Sequence, residues 1–423
     1  MFIDISKAYF HAPSRRPVYV KLPAEALEPG ELPGTICGKL NYSFYGTRDA
    51  AQNWEEEYTA FLVALGFQKG LSSPCLFRHK DRDVDVVVHG DDFTMLGQDE
   101  HLRWLKEKFA AKFKIKVRGI LGPDESDDKE ISLLNRAVSW NDQGITYEAD
   151  QRHPEILLKL LNYESVKGVA TPGQNEIEKE FEEGDDDPLT PAEASLYRAS
   201  AARCNFLGLD RPDIQYAAKE ISRSMSSPCR KDVKKLHRMA RYLKAHPRLV
   251  LNFPHQAKPD RIDVYSDTNW AGCLKTRKST QGGVVMLGQH CLKTWSSTQA
   301  IIALSSGEAE YYGVVKATST GLGCKSLMAD LGQSTQLTVH TDAEAAKGIA
   351  SRMGLGKTRH IQVHYLWVQE RIRNGDLELR KVLGTENPAD LLTKHLSSPD
   401  MLKYLSKFGA EHRDGRASVT PTI

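Results

Sequence analysis

The sequence predicts a mixed α+β and α/β chain in which each half carries its own set of strand-end carboxylates. Three observations predict it. Residues 261–396 follow the order three strands, helix, strand, two helices, strand, with a short helical start after the last strand. Four acids of that stretch, Asp267, Glu310, Asp342 and Asp390, stand at strand ends and helix starts, where a merely solvated carboxylate would be wasteful. The N-terminal half repeats the device: Asp4 interrupts an apolar strand, and Asp91 and Asp92 lie between two apolar runs.

In chain order, Met1–Ile5 reads as a strand that turns into a helix through Ala8–Phe10. Val86–Leu96 reads as two strands about Gly90-Asp91-Asp92, which taken alone is a hairpin turn signal. The first domain is expected over 1–122, ending in Phe109–Gly122. Strands are expected over 129–136 and 140–149, then a helix over 154–161 with Pro154 in its first turn. Residues 123–257 form a connecting region that contains an acidic linker, 173–191. Glu176, Glu178, Glu180, Glu182, Glu183, Asp185, Asp186 and Asp187 crowd there, as in a solvated loop. Helices are expected over 189–253. One of them sets the apolar stripe Val233, Leu236, Ala240 and Leu243 against the basic residues Lys231, Lys234, Arg238 and Arg241. That basic stripe reads equally as a track for a nucleic-acid backbone or as a solvated helix face.

The third domain, 258–396, opens on the strand Arg261–Asp267. A hairpin follows, Gly282–Gly288 and Cys291–Trp295 about Gly288-Gln289-His290. A helix is expected over 306–331 with Ser305 or Ser306 as its cap. Then come a strand ending at Asp342, a helix over 343–351, a helix over 360–373, a strand over 377–382 and a helical start at Asp390. This is the element order of a ribonuclease H fold. The polar end of the tail, 397–423, predicts disorder beyond Phe408.

Carboxylates gathered from strand ends repel one another unless a cation neutralises them. Oxygen ligands of this kind suit Mg²⁺, with Mn²⁺ able to substitute, and such a cluster is what two-metal phosphodiester cleavage requires. The two glutamates at the start of the long helix lie two apart and so point to different faces; Glu310 fits better the acid followed by an apolar helix turn of the family that the sequence resembles, and Glu308 is the fallback as a first-turn acid. His360 and His364 are candidates to face substrate, or packed or solvated histidines.

Phrases in both halves resemble one family. Ser266-Asp-Thr-Asn-Trp-Ala-Gly272, Arg277-Lys-Ser-Thr280, Trp295-Ser-Ser-Thr-Gln299, Ala303-Leu-Ser-Ser-Gly-Glu-Ala-Glu-Tyr311 and Ala389-Asp-Leu-Leu-Thr-Lys394 are similar to the ribonuclease H domain of copia-type LTR retrotransposon Pol polyproteins. Tyr45-Gly-Thr-Arg-Asp-Ala-Ala-Gln-Asn-Trp54, Leu65-Gly-Phe67 and Ser73-Pro-Cys-Leu-Phe77 resemble the reverse transcriptase segment of the same family. The resemblance covers about residues 1–396. It implies a reverse-transcriptase palm and thumb lacking fingers, then a ribonuclease H-like domain. It implies a palm site in which Asp4 and Asp91 hold Mg²⁺ with Asp92 as the second acid of the pair. It also implies RNA–DNA hybrid, RNA template and DNA primer as partners, with fingers and integrase upstream in a parent polyprotein.

The chain departs from the pattern at several points. His89 and Gly90 stand at the Tyr-Val positions before the acid pair, Thr47-Arg48-Asp49 replaces Leu-Lys-Gln, and Gly307 replaces a threonine. Without fingers the triphosphate lacks its clamp, so DNA synthesis is expected to be weak or absent. The expected activity is therefore hydrolysis of RNA in hybrids. A relic that only binds nucleic acid is the alternative, and a viral RNA-dependent RNA polymerase, suggested by Gly-Asp-Asp alone, is argued against by the C-terminal nuclease order.

Composition agrees with this division. The 423 residues suggest two to three domains, and 40% hydrophobic content supports real cores. A net charge of +2 excludes a polycation. Seven cysteines without a Cys-x-x-Cys pair argue against a zinc or disulfide framework and for a reducing compartment; the resemblance implies an intracellular location, cytoplasmic in a virus-like particle or nuclear. No apolar run of about 18 residues predicts a membrane span, and strand sequence from Met1 onward leaves no room for a signal peptide.

Overall fold

The computed structural model describes residues 1–32, 34–175, 184–356 and 358–422. The chain divides into two compact units. The first is Met1–Leu121 with Ser126–Asp128 and Ser326–Ser334; the second takes the rest. No described helix is long and apolar enough to cross a membrane.

The first unit holds β1 (Phe2–Ile5), β2 (Tyr19–Lys21), β3 (Cys37–Lys39), α1 (Ala50–Ala64), β4 (Gln68–Lys69), β5 (Leu76–His79), β6 (Val84–His89), β7 (Asp92–Leu96), α2 (Asp99–Lys112) and β8 (Ile115–Gly119). Six strands form one antiparallel sheet in the order β4-β5-β6-β7-β1-β8. Side chains alternate faces along a strand. Ile3 and Ile5 of β1, and Phe93 and Met95 of β7, are therefore buried against Trp54, Tyr58 and Leu62 of α1 and Leu105 and Phe109 of α2. The same alternation turns Asp4 and Asp92 to the opposite face. Buried Trp54 donates its indole N–H to the Gly90 carbonyl at 2.8 Å, which pins the turn between β6 and β7.

The second unit begins with β9 (Glu130–Leu133), β10 (Arg136–Asn141), β11 (Gly144–Glu148), α3 (Arg152–Leu160), α4 (Pro191–Leu207), α5 (Pro212–Ser222), α6 (Arg230–Ala245) and β12 (Arg248–Pro254). The two strands expected over 129–149 are three. Leu134 and Asn135 take left-handed φ of 49° and 66°, a tight turn that reverses the chain within the expected first strand. The end of the expected helical stretch is β12. The β-branched and aromatic content of Leu249-Val-Leu-Asn-Phe253 suits a strand, and Leu249 and Val250 are buried.

The remaining elements are β13 (Arg261–Asn269), β14 (Thr280–Leu287), β15 (His290–Thr298), α7 (Ser306–Asp330), β16 (Gln336–Thr341), α8 (Glu344–Ser351), α9 (Trp367–Arg373), β17 (Glu378–Lys381), α10 (Ser398–Lys407) and β18 (Ala410–Arg413). Their sheet runs β15-β14-β13-β16-β17, with β13 antiparallel to β14 and parallel to β16. This is the expected ribonuclease H-type arrangement. Two elements differ from expectation. The helix over 360–373 is a 3₁₀ turn, Val363–Leu366, followed by α9, because β-branched and aromatic residues at 363–365 favour helix poorly. Asp390 lies in a 3₁₀ turn, Pro388–Leu392, rather than an α-helix.

The expected boundary at 257/258 is not a break in packing. One core joins Tyr197, Leu236, Leu243 and Leu249 to Val284, Leu392, Met401, Leu405 and Phe408. Nor is the tail disordered beyond Phe408. Met401, Tyr404, Leu405 and Phe408 recur at helical spacing and are buried, and β18 then pairs with β12 at the edge of a sheet ordered β18-β12-β11-β10-β9. The residues beyond Phe408 are held by pairing with a strand far earlier in the chain, which no local pattern announces.

Of the acidic linker, Glu176, Glu178, Glu180, Glu182 and Glu183 lie outside the described residues. Asp185 is not solvated: it is buried and pairs with Lys234 at 2.8 Å.

Candidate functional site

Asp267 stands near the end of β13, and its Cα pairs across the sheet with Gly282 of β14. A side chain at Gly282 would meet Leu392 Cβ at 2.7 Å, so only glycine lets the Pro388–Leu392 turn lie against β14 beside Asp267. Glycine is needed again at Gly313 of α7, where an added Cβ would come within 2.6 Å of Thr268 Oγ1 and 2.9 Å of Ser266 Oγ. That close helix–strand approach brings Glu310, one turn earlier, to Asp267. Asp342 follows directly on β16, which runs parallel to β13.

These placements gather Asp267, Glu310 and Asp342, whose ligand oxygens all lie within 4.8 Å of one another. Asp267 and Glu310 are buried and Asp342 is half-buried. Burial, with the charges of Asp267 and Asp342 added to it, pushes the Glu310 carboxyl up to about 9. Burial and the neighbouring Asp267 raise Asp390 to about 6. Asp267 and Asp342 also lie above the ordinary carboxylate range, through burial first and neighbouring carboxylates second. Glu310 Oε2 is buried without a hydrogen-bond partner. A buried, unpartnered oxygen inside a carboxylate cluster fits a cation, since without one the group can persist only by keeping its proton.

Around the three acids sit residues that sequence reasoning did not single out. Thr393 donates its hydroxyl to Asp267 Oδ2. Asn387, fully buried, donates its side-chain amide to the Ser266 carbonyl at 2.9 Å and so ties the Asp390 turn to β13. Lys394 Nζ lies 2.9 Å from Asp390 Oδ2. The only signal for these was their place in the phrase Asn387-Pro-Ala-Asp-Leu-Leu-Thr-Lys394.

The choice between the two glutamates is now structural. Glu308 points elsewhere: it accepts hydrogen bonds from the Leu304 N–H at 3.0 Å, the Tyr312 hydroxyl at 2.7 Å and His360 Nε2 at 2.7 Å. His360 is thus bound to Glu308, and His364 is exposed and rests against Tyr365.

In the first unit, Asp4 and Asp92 are directly opposed across β1 and β7. Asp91, in the turn, is exposed, and its carbonyl accepts the Ile5 N–H at 2.9 Å. A guanidinium fills the space that a cation would take: Arg118 Nη2 lies 2.5 Å from Asp4 Oδ2, and its Nε 3.7 Å from Asp92 Oδ1. Among the described residues these acids do not form a three-carboxylate group as close as that of the second unit. The arrangement present does not fit a divalent ion as it stands.

The basic residues of α6 meet the chain itself. Arg241 donates to the Lys167 carbonyl at 2.9 Å, Arg238 to Thr171 Oγ1 at 2.8 Å, Lys234 pairs with Asp185, and Lys231 pairs with Asp186. Phosphates would have to compete with these bonds.

Comparison with known proteins accords with this architecture. Residues 1–123 match the family described as reverse transcriptase (RNA-dependent DNA polymerase). The chain is 26% identical over 411 residues to the retrovirus-related Pol polyprotein from transposon TNT 1-94 of Nicotiana tabacum, covering 93% of this chain and 29% of that protein. It is 27% identical over 415 residues to the Pol polyprotein from transposon RE1 of Arabidopsis thaliana, covering 96% and 27%. It thus spans less than a third of the length of these curated relatives. A solved structure of the foamy viral protease-reverse transcriptase in complex with RNA/DNA hybrid has the same fold, with a TM-score of 0.51 at 10% identity, over 90% of this chain and 43% of that one.

Proposed function

We propose, from the premise that this chain belongs to the copia-type Pol polyprotein family in its reverse transcriptase and ribonuclease H portion, that residues 258–396 hydrolyse the RNA strand of an RNA–DNA hybrid. The observation that carries this reading is the convergence of Asp267, Glu310 and Asp342 within 4.8 Å around an unpartnered Glu310 oxygen. Asp267, Glu310 and Asp342 would hold Mg²⁺ or Mn²⁺, and Asp390 would complete the set. When bound, such ions supply Lewis acidity toward the attacking water and the phosphodiester.

The chain's own residues do the positioning. Thr393 fixes one oxygen of Asp267, so the other is presented in one orientation. Lys394 pairs with Asp390 at the margin of the cluster. Trp270, nearly half exposed and anchored by its N–H to the Ala303 carbonyl at 3.0 Å, stands three residues after Asp267, followed by exposed Lys275 and Arg277. An exposed aromatic face with exposed cations a few residues further along the chain suits a hybrid backbone, which is recognised by shape, phosphates and 2′-hydroxyls with weak sequence preference. RNA template and DNA primer are the partners proposed for the first unit, and further Pol segments those proposed for the chain as a whole.

The test is cleavage of a labelled RNA strand in a hybrid, with Mg²⁺ and with chelator. Metal-dependent cutting of RNA in the hybrid, and not of the same RNA alone, is expected. Equal cutting of free RNA, or cutting that survives chelation, overturns the reading.

A further inference from the structure

We propose that Arg118 is the resident cation of the palm carboxylates, a built-in guanidinium that holds Asp4 and Asp92 together and keeps a divalent ion from settling between them. The inference concerns the first unit and does not rest on the nuclease reading.

The placement begins with register. Asp4 of β1 faces Asp92 of β7 across an antiparallel pair, on the face turned away from the core. Like charges directly opposite destabilise a sheet, so the pair needs a counter-charge. On its other side β1 pairs with β8 through an irregular register: Phe2 faces Gly119, but Ile3 faces Val117. Arg118 is therefore the extra, unpaired residue of a β-bulge. A bulge re-aims the side chain it carries. Here it directs the guanidinium over the edge of β1, where Nη2 meets Asp4 Oδ2 at 2.5 Å and Nε lies 3.7 Å from Asp92 Oδ1.

The nature of the cation matters. A guanidinium keeps its charge at every working pH and matches carboxylates through several fixed donors. A divalent ion would have to displace those donors or lie beside a fixed positive charge. The second unit shows the contrast within the same chain. There the nearby cation, Lys394, pairs with Asp390 at the margin, while Glu310 Oε2 stays buried without a partner. One carboxylate site is left with unmet need for a cation; the other already has one.

The test uses the full chain carrying Asp267→Asn and Glu310→Gln, so that any Mn²⁺ bound tightly belongs to the palm. Mn²⁺ binding is followed by electron paramagnetic resonance. The parent should show no saturable palm site below about 1 mM, and adding Arg118→Leu should create one at least ~10-fold tighter. Adding Asp4→Asn should abolish that site again. Gain of nothing by Arg118→Leu overturns the proposal. So does a parent that already binds Mn²⁺ at a site lost in Asp4→Asn, an outcome readable even if Arg118→Leu folds poorly.

Discussion

Glu308 accepts a hydrogen bond from His360 Nε2 at 2.7 Å, which commits that carboxylate to the loop before α9 and leaves Glu310, two residues later, as the glutamate of the cluster. Burial alone would raise Glu308, but the bonds from His360 and Tyr312 hold it below the ordinary carboxylate range. The two neighbours are thus driven to opposite protonation behaviour by opposite surroundings.

The first prediction follows from that division. Glu310→Gln should lower hybrid cleavage at least about a hundredfold, because a cation ligand is lost. Glu308→Gln should cost about tenfold or less in rate but lower the melting temperature, since it disturbs a buried hydrogen-bonded group worth about 1–3 kcal/mol. Steady-state cleavage and thermal melting of both variants decide it; a larger rate loss in Glu308→Gln reverses the assignment.

Asp267 and its supporting hydroxyl should behave in graded fashion. Asp267→Asn is expected to lose at least about a hundredfold in rate. Thr393→Val leaves the carboxylate but frees its orientation, and losses at such supporting positions run about 10–100-fold. Adding Mn²⁺ or more Mg²⁺ should recover part of the Thr393→Val loss and none of the Asp267→Asn loss. Wild-type cleavage by Asp267→Asn would remove Asp267 from the site.

Stability should depend on pH in the absence of divalent ions. The Glu310 carboxyl is raised from its ordinary 4.5 to about 9 by burial first and by Asp267 and Asp342 second. The folded chain therefore binds a proton there that the unfolded chain releases, so stability is greatest below about 4.5 for this group and declines as pH rises toward about 9. In chelator, the melting temperature should fall across that window. Mg²⁺ should stabilise the chain increasingly as pH rises, because it replaces the proton. Glu310→Gln should flatten the part of the slope due to this residue. Parallel slopes for the parent and Glu310→Gln in chelator would show that Glu310 is not the titrating group.

Gly282→Ala tests the close packing that seats Asp390. The new methyl would stand 2.7 Å from Leu392 Cβ and 2.8 Å from Thr393 Cγ2. Overpacking of this kind costs about 1–3 kcal/mol. Cleavage should fall by more than the loss of folded protein explains, because Thr393 and Asp390 are moved together. Unchanged activity at unchanged stability would mean that the turn has room to retreat.

Truncation after Phe408 tests whether the tail is structural. It removes β18, which pairs with β12, and buried Ala410 and Ala417. It also removes His412, whose Nε2 lies 3.4 Å from buried Asp213. A clear drop in melting temperature is expected; a truncated chain that melts with the full one would return the tail to a dispensable extension.

The sequence by itself offered Asp267, Asp342, Asp390 and one of Glu308 and Glu310 as acids at strand ends and helix starts, because those are local patterns; the structure gathers Asp267, Glu310 and Asp342 most closely. Asp4, Asp91 and Asp92 were legible as acids that interrupt or border apolar strands, but the sequence joined Asp4 to Asp91, and register sets Asp4 opposite Asp92 instead. What lay beyond reach was set by register and by distant packing. Gly119 is the one local hint of a bulge beside Arg118, yet only the register shows that one unpaired residue on β8 gives the palm acids a counter-ion. The basic face of α6 has the composition of a phosphate track, but Lys167, Thr171 and Asp185 give Arg241, Arg238 and Lys234 partners within the chain. Glu308 and Glu310 were separable only once His360, fifty residues on, was seen to claim one of them. Hydrophobic periodicity is a property of neighbours along the chain, whereas the partner of a charge is chosen by whichever segment folds against it, and only the tertiary structure brings those segments together.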